Sequence, residues 1–156
     1  VSENTRRDIL EYVKIPESKI SVIHNASSAY FKEVSESEKS VMRKQLKLEK
    51  PFILYVGHRI PGYKNFQTLL KAYSLWKRRG DFELICVGGT PNWEEEEIEI
   101  MTRYNLLSSV RLLLNVDDRE LRALYSLASV FVFPSLYEGF GIPPLEAMAI
   151  PLLPCT

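Results

Sequence analysis

Hydrophobic and polar positions along this chain alternate between two rhythms. Phe52 to Val56, Phe82 to Val87, Val110 to Leu114 and Val130 to Phe133 are short, mostly apolar runs. Runs of that length with apolar residues at successive positions predict strands buried on both faces. Between them the apolar residues switch to helical spacing. Phe66, Leu69, Leu70, Tyr73 and Trp76 make one such stripe, and Leu121, Leu124, Tyr125 and Ala128 make another. A third helix is predicted from about Trp93 to Tyr104, with Ile100, Met101 and Tyr104 turned inward. Asp117 and Glu120 have the spacing of a capping box, which satisfies two amides at a helix start. Pro143-Pro144 suits the first turn of a last helix, and Ile150 to Leu153 reads as the start of a fifth strand. Strict alternation of this kind predicts the α/β class, a Rossmann-like, doubly wound parallel sheet with helices on both sides. In such sheets ligands sit beyond the carboxyl ends of the strands.

The first third of the chain is less regular. Ser2 caps a stretch to Val13 with Ile9, Leu10 and Val13 at helical spacing. Ile20 to Ile23 alternates like a short strand, and Ser28 to Val34 has the irregular pattern of a linker. Ser35 and Glu38 form a second capping-box pattern, opening a charged helix with Val41, Met42 and Leu46 on its apolar side. Residues 1–34 therefore read as the tail of a preceding domain with its linker, and residues 35–156 as one domain. That domain is expected to be incomplete at its C-terminal end, because the last strand-like residues have no helix to cover them.

Composition narrows the function. Of 156 residues 46% are hydrophobic and 26% charged, with 20 basic and 20 acidic side chains. A net charge of zero lacks the basic excess of a nucleic-acid-binding module. No apolar run is long enough to cross a bilayer. Cys86 and Cys155 sit singly in apolar runs and read as core residues rather than as a disulfide or a metal pair. His24 and His58 are far apart, and neither an Asp-x-Asp pair nor a Gly-x-Gly-x-x-Gly follows any strand, so neither a metal nor a dinucleotide cofactor is expected. The run Glu94 to Glu97 reads as a solvated helix start, favoured by the helix dipole.

Two loops at strand ends could carry chemistry. In the first, Gly57 to Asn65, a glycine permits close backbone approach and Arg59 and Lys64 supply two cations suited to a diphosphate. On spacing alone a solvated basic loop is the favoured reading, by about two to one. The second, Pro134 to Glu146, is more specific. Gly139 and Gly141 free the backbone between Glu138 and Glu146, whose carboxylates can accept paired hydroxyls of a sugar or ribose. Exposed amides at the following helix start can hold an anion or sugar oxygens.

Together these loops resemble those of the large retaining glycosyltransferase family with the GT-B fold, often called family four. Gly57, Arg59 and Lys64-Asn65 match its strand-Gly-Arg-Lys segment, with His58 inserted. Glu138 and Glu146 match its paired glutamates, within Pro134-Ser135, Gly139-Phe140-Gly141 and Leu145 to Ala149. Ile23-His24-Asn25 resembles its interdomain segment. The resemblance implies a donor-binding, C-terminal GT-B domain in which Arg59 and Lys64 neutralise the leaving nucleoside diphosphate. By the same resemblance Glu138 and the amides from Gly139 through Phe140 to Gly141, with Ile142, position the sugar. Gly57 admits the phosphates, Asn115 and Val116 frame the base, and Glu146 accepts the ribose hydroxyls. Tyr63 to Phe66 and Tyr137 to Pro144 look most like bacterial surface-polysaccharide mannosyltransferases, which favours GDP-mannose over a UDP-sugar as donor. Implied partners are a glycan or lipid-linked acceptor and an N-terminal acceptor domain, in the cytoplasm with peripheral contact at the inner face of the membrane. A non-catalytic nucleotide-sugar-binding module, or an inactive homologue, is the alternative.

Overall fold

A computed structural model describes residues 2–150. The predicted start of a fifth strand extends past Ile150, and its remaining residues, like Cys155, lie outside the described residues. Four strands, β1 (Phe52–Val56), β2 (Glu83–Val87), β3 (Val110–Leu113) and β4 (Val130–Val132), form one parallel sheet in the order β3-β2-β1-β4. Leu54 lies opposite Ile85 on one side and Phe131 on the other, so β1 is central.

Side chains alternate across a strand, and the sheet uses both faces. Phe52, Leu54 and Val56 join Ile85 and Val87 in a core with Met42, Leu124, Tyr125 and Ala147. Those partners come from α2 (Glu36–Gln45), α5 (Asp118–Leu127) and α6 (Ile142–Ala149). Tyr55, Leu84 and Cys86 point the other way, into a core with Phe66, Leu70, Tyr73, Ile100 and Met101. These belong to α3 (Phe66–Leu75) and α4 (Glu95–Arg103). The doubly wound parallel arrangement follows the sequence reading.

Both predicted capping boxes form. Glu120 N donates to Asp117 Oδ1 at 2.8 Å while Asp117 N donates to Glu120 Oε2 at 3.1 Å, and Ser35 and Glu38 make the reciprocal pair ahead of α2. Ser2 caps α1 (Glu3–Tyr12) by accepting from Thr5 N. Three expectations change. Ile20 to Ile23 is not a strand: after a short 3-10 turn at Glu17–Lys19 the chain has no regular secondary structure and no ladder partner among the described residues, and Ile23 is exposed. Alternation alone cannot make a strand where no neighbour supplies hydrogen bonds. On α2 Val41 faces solvent, and the aliphatic stem of Lys39 is buried in its stead, with its ammonium on Glu36 at 2.8 Å. Glu97, read as a solvated residue, is wholly buried.

Candidate functional site

Every loop that leaves the carboxyl edge of the sheet contributes to one region. The loop after β1 carries Gly57 at φ 152°, Gly62 at 99° and Asn65 at 56°. Asn65 holds this left-handed conformation at the N-terminus of α3 and donates from Nδ2 to Pro134 O at 3.1 Å. Leu136 N donates to Tyr63 O at 2.8 Å, so the β1 and β4 loops are laced together by backbone and side chain. This lacing presents Lys64 to Glu138. Lys64 Nζ lies 2.6 Å from Glu138 Oε1, with the Tyr63 ring centroid 5.1 Å and the Phe133 centroid 6.0 Å from the ammonium. Both side chains are largely shielded, at 13% and 22% exposure, so screening weakens the pair less than it would on an open surface.

Arg59 sits differently from the surface cation that the sequence suggests. It is 2% exposed, and its guanidinium is taken up by protein acceptors. Nε donates to Glu97 Oε1 at 3.1 Å, Nη1 to Gly88 O at 2.6 Å, and Nη2 to Thr90 O at 3.0 Å and Asn92 O at 2.8 Å. One of its five N–H donors is left. The guanidinium also lies over the Trp93 ring, 4.8 Å from its centroid. Glu97 in turn accepts from Glu94 N at 2.9 Å. Burial pushes the Glu97 carboxyl above its ordinary range, and the Glu94 amide and Arg59 pull it back. Arg59 thus ties the β1 loop to the β2 loop, where Gly88 (φ 94°) and Gly89 (φ 85°) turn the backbone. A Cβ on Gly89 would come within 2.9 Å of Arg59 Nη1.

Beyond Gly88 and Gly89 lies an open cavity of about 360 Å³, lined among others by Val87, Pro91, Asn115 and Val116. Asn115 is left-handed, at φ 54°, which brings the β3 loop round onto it. Across β4, Gly141 at φ 92° leads into α6 without a side-chain cap. Pro143 and Pro144 have no N–H, so the free amides at this helix start belong to the residues before them, Gly139 to Ile142. Phe140 rests against His24, ring centroids 5.9 Å apart, and Tyr137 Oη donates to Asp8 on α1. Glu146, on α6, accepts from Tyr125 Oη at 3.0 Å. Burial lifts its carboxyl above the usual carboxylate range, the Tyr125 hydroxyl lowers it, and Asp118 raises it.

The structure therefore brings Lys64 onto Glu138, and Asn115 and Val116 beside Gly88 and Gly89. It puts Arg59 in the interior of the same loop cluster and seats Glu146 on α6, joined to Tyr125. Among the described residues no three His, Cys, Asp or Glu side chains gather as a metal ion would require. Sequence reasoning missed Glu97 and Tyr125. The Glu94-to-Glu97 spacing announced a helix start but not a buried ion pair, and Tyr125 carried the signal of an inner-face aromatic and no more.

Residues 37–154 match the family described as Glycosyl transferases group 1. The chain is 34% identical over 153 residues to the O-antigen chain mannosyltransferase B of Escherichia coli, covering 96% of this chain and 40% of that protein. Its fold superposes on a glycosyltransferase from Rickettsia africae with a TM-score of 0.79 at 25% identity, covering 96% of this chain and 41% of the other. Anabaena HepE, solved in complex with UDP-glucose, shares the fold with a TM-score of 0.78 at 21% identity, over 95% of this chain and 41% of the other. The chain thus spans about two fifths of the length of these proteins. Among the described residues no helix is long and apolar enough to cross a membrane.

Proposed function

Because this chain belongs to the glycosyl transferases of group 1, we propose that it is the donor-binding part of a longer enzyme. It holds a nucleoside-diphosphate sugar, GDP-mannose in preference to a UDP-sugar, for metal-independent transfer with retention to a glycan or lipid-linked acceptor. In this reading residues 1–34 close a preceding acceptor domain and residues 35–156 form the donor domain, working in the cytoplasm at the inner face of the membrane. The preference for mannose rests on the likeness to the O-antigen mannosyltransferase.

The observation that carries the reading is the meeting of Lys64 and Glu138, 74 positions apart in sequence, at the carboxyl edge of a parallel sheet. Lys64 is the cation free to exchange partners, so it neutralises the diphosphate as charge develops on the leaving group. Arg59 contributes as a brace that fixes the Gly57 loop through its bonds to Glu97, Gly88, Thr90 and Asn92. Glu138, with the amides from Gly139 through Phe140 to Gly141 and Ile142, orients the sugar. Asn115 and Val116 border the cavity that takes the base, and Glu146 accepts the ribose hydroxyls.

Calorimetric titration with GDP, UDP and guanosine tests this. GDP should bind more tightly than guanosine and more tightly than UDP. Lys64→Ala should remove roughly 1–3 kcal/mol of the diphosphate advantage, the worth of a charge-assisted contact. Equal affinity for guanosine and GDP, unchanged by Lys64→Ala, would overturn the reading.

A further inference from the structure

We propose that Tyr125 is a positioning residue for ribose recognition, its hydroxyl holding one oxygen of Glu146 so that the other faces the ligand. The proposal rests on Glu146 acting as the ribose acceptor. The terminal torsion of a glutamate is broad and roughly two-fold, so an untethered carboxylate samples many orientations. Here Tyr125 Oη donates to Oε2 at 3.0 Å, and Oε1 accepts nothing from the described residues. The phenol cannot drift. Tyr125 is fully buried, with Phe31 edge-on at 6.0 Å between centroids and Phe131 edge-on at 5.4 Å. Phe31 comes from the segment before α2 and Phe131 from β4, so two separate parts of the chain clamp the ring that sets Glu146.

The placement on α5 also matters. That helix begins at Asp118, directly after the loop with Asn115 and Val116 that borders the large cavity. One rigid helix therefore carries both the end of the cavity wall and the tether of Glu146. Sites held by packed second partners keep their geometry better than sites on free side chains.

The contact makes a distinct mark on pH dependence. The groups facing the Glu146 carboxyl are Tyr125 and Asp118, both on α5; burial and Asp118 raise it, and the Tyr125 hydroxyl lowers it. Removing the hydroxyl raises the carboxyl further, so Glu146 protonates, and ribose recognition fails, at higher pH than in the unaltered chain.

The test compares GDP with 2′,3′-dideoxy-GDP by calorimetry, taking the ratio of affinities as the measure of ribose recognition. Tyr125→Phe should lower that ratio roughly tenfold, the loss of one hydrogen bond to a charged group, and move its acid limb to higher pH. Glu146→Asp, which draws the carboxylate back from the phenol, should lower the ratio comparably. In a Glu146→Ala background the ratio should be near one and Tyr125→Phe should change nothing more. An unaltered ratio and acid limb in folded Tyr125→Phe overturns the positioning role alone, provided that Glu146→Ala abolishes the ratio. The same loss from Tyr125→Phe with and without Glu146 assigns it to packing and also overturns the role. A ratio untouched by Glu146→Ala, or no preference for GDP in the unaltered chain, removes the ribose reading and this inference with it.

Discussion

Arg59 and Glu97 form a fully interior ion pair, at 1% and 0% side-chain exposure. Taking two charges from water is costly, and their attraction offsets that cost only with further hydrogen bonds. Here three backbone carbonyls and the Glu94 amide supply them. Breaking such a pair from one side leaves a buried charge alone. Arg59→Ala and Glu97→Ala are each expected to destabilise the chain by about 3–5 kcal/mol, read as a fall in the midpoint of urea unfolding. The double variant Arg59→Met, Glu97→Leu should lose less than either single change, because no charge is then stranded. Equal and additive losses would mean that the pair is two independent contacts.

At the scale of elements, the capping box of α5 sets where that helix begins and hence where Tyr125 stands. Asp117→Ala removes the bond to the Glu120 amide and should cost about 1 kcal/mol, lowering the melting temperature by about 2–4 °C in a chain of this size. Thermal unfolding followed by circular dichroism measures it. The same element shows what the sequence makes legible. Strands, helices and both predicted boxes follow from local periodicity and local hydrogen bonds, which neighbouring residues determine. The Lys64–Glu138 meeting was foreseeable because both loops follow strand ends of one parallel sheet, at the edge where such loops gather. The burial of Glu97 was not, since it depends on Arg59, 38 positions earlier, folding inward over Trp93. Ile20 to Ile23 failed for the mirror-image reason: its alternation was local, and the ladder partner it needed does not exist among the described residues.

For the whole molecule, the chain spans about two fifths of the related proteins. If acceptor groups lie in the remainder, the 156-residue chain binds donor without transferring it. Incubation with GDP-mannose and a lipid-linked glycan should give no transfer at ordinary enzyme concentration, and clear turnover would contradict the division into donor and acceptor parts. The diphosphate contribution should also fall with added salt, since an open cleft is screened over about 10 Å at 0.1 M. Titrations of GDP and guanosine across ionic strength give that slope, steep for the first and shallow for the second.

The ion pair between Lys64 and Glu138, 2.6 Å apart, also bears on how the two halves of a nucleoside-diphosphate sugar would be read. While paired, the two residues each commit part of their capacity to the other, one of the three N–H donors of Lys64 and one oxygen of Glu138. If the proposed roles hold, a phosphate that drew Lys64 away would leave the Glu138 carboxylate without its cation, and a sugar that drew Glu138 away would leave Lys64 without its anion. A sugar joined to its diphosphate satisfies both at once. In the proposed reading the pair couples the two halves of the ligand: each is held more tightly when the other is present. Phosphate and mannose together should compete with GDP-mannose better than the sum of either alone, and Glu138→Gln, by releasing Lys64 beforehand, should make the cleft more receptive to phosphate alone.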